Sequence, residues 1–276
     1  MLSQMNEFIK KKKYGQNFLT SPDIPRKIAA ACGADKQSGI IEIGPGKGIL
    51  TVELAKIANK VCAVEIDTEL KPYLNEIQLA NRNIDIVYQD ILKIDINEFI
   101  EKQLPNMNIY VCANLPYYIT TPILIYLLES QANIDSITIM VQKEVAERLC
   151  SKPGTSTYSA ITVAVNYHSE IKKLFNVPSG CFSPRPKVDS TVINLKILKN
   201  KAVAPKNETL MFGIIKSVFE QRRKTLVNNL YSFFNGKLNK EEITNVIVKL
   251  GFSTNTRGET LSINDFCIIA DHFNGI

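Results

Sequence analysis

Gly39-Ile40-Ile41-Glu42-Ile43-Gly44-Pro45-Gly46-Lys47-Gly48 reads as a buried strand that stops at a glycine loop. Isoleucines at both strand parities are the pattern of a strand covered on both faces. Alternate glycines let the chain turn sharply and bring its backbone close to a ligand. A helix from about Ile49 to Ala58 follows, so the segment has a strand–loop–helix order. A pyrophosphate-binding loop would read G-x-G-x-x-G, and a phosphate-cradling loop would need Gly-Lys-Ser or Gly-Lys-Thr. This loop reads E-x-G-x-G-x-G and is neither.

Outward from that loop, strands and helices alternate. Val61 to Glu65 is a second strand and ends in an acid. A helix from about Thr68 to Leu79 leads to a third strand, Ile84 to Tyr88, which ends at Gln89-Asp90. Met107 to Ala113 is a fourth strand ending at Asn114, and Ile137 to Gln142 a fifth. Upstream, Ser21 or Asp23 is expected to cap a first helix through Ala29-Ala30-Ala31, ended by Gly33. The order implies an α/β fold: a Rossmann-like parallel sheet with helices on both faces. In such sheets ligands bind outside the carboxyl ends of the strands, where Glu65, Asp90 and Asn114 all fall.

Residues 156–198 read as a helix and then strands, with Val188 to Leu198 as the last strand. Beyond Lys199 the pattern changes to four helix-like stretches, 210–219, 226–234, 243–250 and 263–273, with apolar residues three and four apart. The expected organisation is a catalytic domain over residues 1–199 and a small all-helical C-terminal domain over 200–276.

The chain has 276 residues, 45% hydrophobic and 22% charged, an ordinary composition for a packed globular protein. Its net charge of +6 favours a polyanionic partner. The six cysteines include no C-x-x-C pair, which argues against zinc or a disulfide framework, and no metal is implied. Cys62 and Cys112 sit in apolar runs and read as small buried hydrophobes. The polar and basic start, with Lys10 to Lys13, lacks the apolar core of a signal peptide, and no run reaches membrane-spanning length. A cytoplasmic protein without a membrane partner is expected.

The loop fixes the class of ligand together with two acids. Glu65, about 20 residues on at the next strand end, can accept from two ribose hydroxyls. Asp90 can accept from an adenine amino group, whereas Asp67 reads as a helix cap. This combination is the pattern of S-adenosylmethionine binding, with S-adenosylhomocysteine as the product. Asn114-Leu115-Pro116-Tyr117 supplies the acceptor side. An exocyclic adenine amine is a poor nucleophile because its lone pair is delocalised into the ring. Two acceptors on its hydrogens, the Asn114 side-chain oxygen and the Leu115 carbonyl, would pull the nitrogen toward tetrahedral geometry. Pro116 stiffens the turn and Tyr117 offers a ring for a base to stack on. No strong base is required, since the proton leaves once the nitrogen is cationic. The two histidines, His168 and His272, stand in no recognisable motif.

Over nearly its whole length the sequence resembles the KsgA-type ribosomal RNA adenine dimethyltransferases. The resemblance is carried by Lys12 to Leu19, Glu42 to Gly48, Asn114 to Tyr117, Val141 to Arg148, Phe182 to Ser190, Gln221 to Leu226 and Arg257 to Ser262. It implies a donor site lined by Asn17, Leu19, Gly44, Glu65, Asp90 and Asn114. Asn17 and Leu19 come from the resemblance alone. It also implies a stacking role for Phe182 opposite Tyr117. The substrate it implies is 16S ribosomal RNA, within the small subunit or its precursor, dimethylated on two adjacent adenines near the 3′ end. Lys143, Arg148, Arg185, Lys187, Arg222, Arg223 and Lys224 are then candidates for contacts to RNA phosphates. A monomer is expected. Tyr118 and Ser159 stand where relatives often carry Asn and Gly. The alternatives are a large-subunit RNA methyltransferase of the resistance type, a non-catalytic assembly factor on the same fold and, more distantly, a nicotinamide dehydrogenase. Arg222 to Leu226 and Arg257 to Ser262 favour the small-subunit class.

Overall fold

Runs of β-branched residues that cannot leave either face in water form the centre of a seven-stranded sheet. The computed structural model describes residues 17–116 and 119–275. In chain order its elements are β1 (Phe18–Leu19), α1 (Asp23–Ala31), β2 (Ser38–Ile43), α2 (Ile49–Ile57), β3 (Lys60–Glu65), α3 (Lys71–Ala80) and β4 (Ile84–Tyr88). These are followed by α4 (Ile96–Gln103), β5 (Asn108–Asn114), α5 (Thr120–Glu129), β6 (Ser136–Gln142), α6 (Lys143–Leu149), α7 (Ala160–His168), β7 (Ser169–Val177), β8 (Phe182–Ser183) and β9 (Ser190–Ile197). Helices α8 (Glu208–Glu220), α9 (Leu226–Phe234), α10 (Lys240–Lys249) and α11 (Ile263–His272) complete the chain.

The sheet runs β4-β3-β2-β5-β6-β9-β7. Strand β2 pairs in parallel with both β3 and β5, although the chain visits β3 and β4 before β5. The strand order therefore reverses between β2 and β5, and at such a switch point the following loops splay apart and leave a crevice. Every residue of β2 is buried. Strand β9 lies inside the sheet and β7 takes the edge. Short β1 pairs antiparallel with β8 in a separate ribbon.

The chain forms two compact units and crosses between them three times. One unit contains residues 1–146 with 172–195, and the other 147–171 with 196–276. Residues 147–171 thus pack with the C-terminal helices, where the sequence suggested one junction at 199. The reason is visible in the second core: Tyr158, Val163 and Tyr167 are buried among Met211, Ile215, Leu230 and Phe266. The Tyr158 hydroxyl donates to the Leu261 carbonyl at 3.0 Å, which satisfies a buried phenol. Ser159 opens α7 as the first half of a capping box with Thr162, so this departure from the family pattern has a local structural use. Helix α1 starts at Asp23 behind Pro22 without a side-chain cap, unlike the cap expected from Ser21 or Asp23.

Gly258 packs where only glycine fits. A Cβ there would lie 1.7 Å from Val218 Cγ1 on α8. Gly258→Ala is expected to destabilise the protein by about 1–3 kcal/mol, the usual cost of overpacking a core. Thermal melts check this, and adding Val218→Ala should recover part of the loss; a single variant as stable as wild type would refute the clash.

Candidate active site

The loop between β2 and α2 places three glycines in left-handed backbone, with φ of 69° at Gly44, 59° at Gly46 and 76° at Gly48. At Gly48 the demand for glycine is double, because a Cβ would also stand 2.3 Å from Ile77 Cδ1. At Gly44 a Cβ would meet nothing within 4 Å, so the backbone there borders open space. The Gly44 amide is tied to the Val64 carbonyl at 2.9 Å, and that of Gly48 to Pro45 at 2.9 Å.

Glu65 closes this loop from the end of β3. It accepts from the Gly46 amide at 3.1 Å on one oxygen and from the Asp67 amide at 2.8 Å on the other. Burial raises its pKa, and those two amides pull it back. Each oxygen retains a lone pair for a ligand hydroxyl. Asp67 caps the 3-10 turn at Thr68–Leu70, as its sequence position suggested. Asp90 caps the next such turn through Oδ1, with the Leu92 amide at 3.1 Å.

One cavity lies over these strand ends. Asn17, Leu19, Gly44, Glu65, Asp90 and Asn114 all line it, so the six expected donor-site positions are brought together. Counted with its mouth it holds about 1130 Å³, ample for a nucleoside with an amino-acid tail. Glu42 and Ile66 also line it, and the sequence reading gave neither a role of its own. Ile66 is 49% exposed; the signal in the sequence that could have found it is its place directly after the strand-ending Glu65. Glu42 sits inside the quoted motif but looked like part of the strand.

The residues fit a cationic nucleoside donor. Carboxylates at Glu65 and Asp90 suit hydroxyls and an amine, and Gly44 leaves room for close approach. Among the described residues the buried Glu42 carboxyl oxygen Oε2 has no hydrogen-bond partner, and a ligand ammonium group would supply one. Among the described residues no group of three or more metal-ligating side chains is assembled.

Asn114, Leu115 and Pro116 leave β5 along the wall of the same cavity. Leu115 is buried, and the Pro116 carbonyl accepts from the Ile119 amide at 3.1 Å and the Thr120 hydroxyl at 3.3 Å, which turns the chain into α5. Tyr117 and Tyr118 lie outside the described residues, as does Lys10 to Gln16. Phe182 is not on the cavity wall. It is 5% exposed, within the core of the first unit beside Leu19, Val177 and Val192. It is tied to the cavity wall only through the β1–β8 ribbon, in which the wall residue Leu19 pairs with Phe182 and Phe18 with Ser183.

Lys143, Arg185 and Lys187 are exposed on the first unit, with Arg185 Nε donating to Ser179 Oγ at 3.0 Å. On the second unit Arg148, Arg223 and Lys224 are exposed and Arg222 is half-buried. A Thr225–Arg257 bridge and the Leu226 amide on the Thr256 carbonyl, at 2.7 Å, bring the 221–226 and 257–262 motifs side by side. His168 is buried beside Lys201, which together push its pKa down to about 4 and keep it neutral. The six cysteines are free thiols, with Cys62 and Cys112 fully buried. Among the described residues no helix is long and apolar enough to cross a membrane.

Residues 7–274 match the family model described as ribosomal RNA adenine dimethylase. The chain is 44% identical over 264 residues to "Ribosomal RNA small subunit methyltransferase A" of Macrococcus caseolyticus, covering 95% of this chain and 89% of that protein. The solved dimethyladenosine transferase from Plasmodium falciparum superposes with a TM-score of 0.78 at 26% identity, over 93% of this chain and 97% of that one. The 23S rRNA methyltransferase ErmE superposes with a TM-score of 0.72 at 23% identity, over 94% and 100% of the two chains, and speaks to the fold alone.

Proposed function

The chain belongs to the ribosomal RNA adenine dimethylase family, and from that membership we propose that it dimethylates N6 of two adjacent adenosines near the 3′ end of small-subunit ribosomal RNA. The observation that carries this reading is the meeting, at one switch-point cavity, of the donor-site positions with Asn114 and Leu115. S-adenosylmethionine, bound there, presents an electrophilic methyl group on a sulfonium.

The protein's part is orientation. Asn114 Oδ1 and the Leu115 carbonyl accept the two N6 hydrogens and hold the amine lone pair toward the methyl carbon. S-adenosylmethionine held by the Gly44 loop, Glu65 and Asp90 would supply the methyl carbon, its sulfur leaving with the electron pair of the broken C–S bond as the N–C bond forms. The nitrogen, briefly cationic, then loses a proton to water. Holding the two reactants at attack distance supplies much of the rate. Tyr117 and Phe182 are proposed to bracket the extruded base, with Phe182 set by its pairing to Leu19. Lys143, Arg148, Arg185, Lys187, Arg222, Arg223 and Lys224 are proposed to hold RNA phosphates, which positions the strand without reading its sequence.

The test is methyl transfer from labelled S-adenosylmethionine to separated ribosomal subunits that lack these modifications. Label is expected in the small-subunit RNA, in two neighbouring adenines. Label only in large-subunit RNA would overturn the substrate, and donor binding without transfer to any RNA would overturn the reaction.

A further inference from the structure

Arg185 is an exposed arginine that the fold holds still. It stands between Pro184 and Pro186, whose rings restrict the backbone on both sides of it. Its Nε donates to Ser179 Oγ at 3.0 Å. Among the described residues no carboxylate forms an ion pair with it, and its two Nη groups make no hydrogen bond. Ser179 is held in turn: it is buried, and its amide donates to Asp189 Oδ1 at 2.8 Å. The Asp189 carbonyl accepts from the amide of Lys143, the first residue of α6, at 3.0 Å. Asp189 thus closes the 179–189 loop on itself and ties it to the chain at Lys143.

Asp189 is itself exposed. A carboxylate in the loop that carries Arg185 and Lys187 repels phosphate, so by charge alone it works against an RNA-binding face. Its place there is explained if its side chain shapes that face. We infer that Asp189, acting through Ser179, is a positioning residue that holds Arg185 with both Nη groups presented to an RNA phosphate. This rests on the RNA reading above and adds to it two residues, Ser179 and Asp189, that need not touch RNA themselves.

A guanidinium held at Nε keeps its outer edge for the substrate, and that edge can make two parallel hydrogen bonds to one phosphate. Released from Ser179, the long side chain would sample many rotamers, and ordering it would fall on the binding step. The two residues remove that cost. The tie to Lys143 runs through the Asp189 backbone and survives any side-chain substitution, so variants at Asp189 test the arm to Arg185 alone.

The experiment measures single-turnover methyl transfer at saturating S-adenosylmethionine over a range of concentrations of small subunits that lack the modifications. Asp189→Ala is expected to raise the subunit concentration for half-maximal rate about three- to tenfold, the worth of one lost hydrogen bond. The maximal rate should stay close to wild type, because Asn114 and Leu115 are untouched. A variant that was merely unstable would instead lose maximal rate at an unchanged half-maximal concentration. Asn keeps an acceptor for the Ser179 amide and drops the charge, so Asp189→Asn should hold RNA at least as tightly as wild type. In an Arg185→Ala background Asp189→Ala should add less than about twofold, because the group it positions is gone. The inference is overturned if Asp189→Ala binds RNA as tightly as wild type or tighter, as loss of a negative charge alone predicts. It is also overturned if Asp189→Asn is as weak as Asp189→Ala, or if the two alanine losses add in full. Should Asp189→Ala fail to fold, Ser179→Ala removes only the acceptor for Arg185 Nε and carries the same expected loss; wild-type affinity there overturns the inference. Wild-type affinity in Arg185→Ala would overturn the assignment of Arg185 to phosphate as well, and no transfer from wild type to small subunits would overturn the reading beneath both.

Discussion

Asn114→Ala is expected to lower the rate of methyl transfer by about 10²–10³-fold or more, the loss typical of removing one preorganised polar partner from a reacting group. The backbone of Asn114 is held by the ladder to Met140 on β6, so its position does not depend on its side chain. The side chain is only half-buried, and truncation should leave the melting temperature within a few degrees of wild type. Without Oδ1 the adenine amine keeps a single acceptor, the Leu115 carbonyl, and the nitrogen relaxes toward the plane of the ring. RNA affinity should survive, because it resides mainly in phosphate contacts. Donor affinity should weaken less than the rate, since Asn114 is one of several residues on the cavity wall. Single-turnover rates with saturating donor separate these effects. Wild-type turnover in the variant would remove Asn114 from the chemistry.

The parts of the fold that were legible in the sequence are those with a strong period or a sharp stop. The run 39–43 could only be a doubly buried strand, and its glycines could only be a turn. The four C-terminal helices announced themselves because each buries one stripe, as Met211, Ile214, Ile215 and Val218 do on α8. Three helices carried no such signal. Thr120–Glu129 is apolar almost all round, Ile96–Gln103 is barely two turns, and Lys143–Leu149 is shorter still. The traffic of residues 147–171 into the second unit was also hidden, because Tyr158 and Tyr167 show their destination only through partners more than 40 residues away. At the site, polar residues at strand ends were readable because the switch-point rule assigns such ends to ligands. Glu42 was not, since an acid inside a strand has no periodic signature. What marks it is an unpartnered oxygen, a property of three dimensions.

Glu65→Gln should raise the dissociation constant of S-adenosylmethionine by about 10²–10³-fold. Glu65 is asked to do two things at once. Its oxygens each receive a backbone amide, from Gly46 and from Asp67, and those bonds hold the glycine loop against the end of β3. The remaining lone pairs are the ones offered to the ribose. An amide side chain keeps one acceptor and replaces the other with a donor. Whichever way it turns, its NH₂ group faces a backbone N–H, of Gly46 or of Asp67, and can no longer accept from a ribose hydroxyl. Two hydrogen bonds to a charged acceptor, at about 1.5–3 kcal/mol each, correspond to that range of affinity once the weaker residual contacts are allowed for. The loop, losing one tie, should cost the free protein about 1–2 kcal/mol as well, visible in its thermal melt. The two effects separate by ligand concentration. Saturating donor stabilises wild type strongly by mass action, whereas the variant should gain little at the same concentration. If Glu65→Gln bound the donor as tightly as wild type, the carboxylate at the end of β3 would be a fastener for the loop and no part of the binding site.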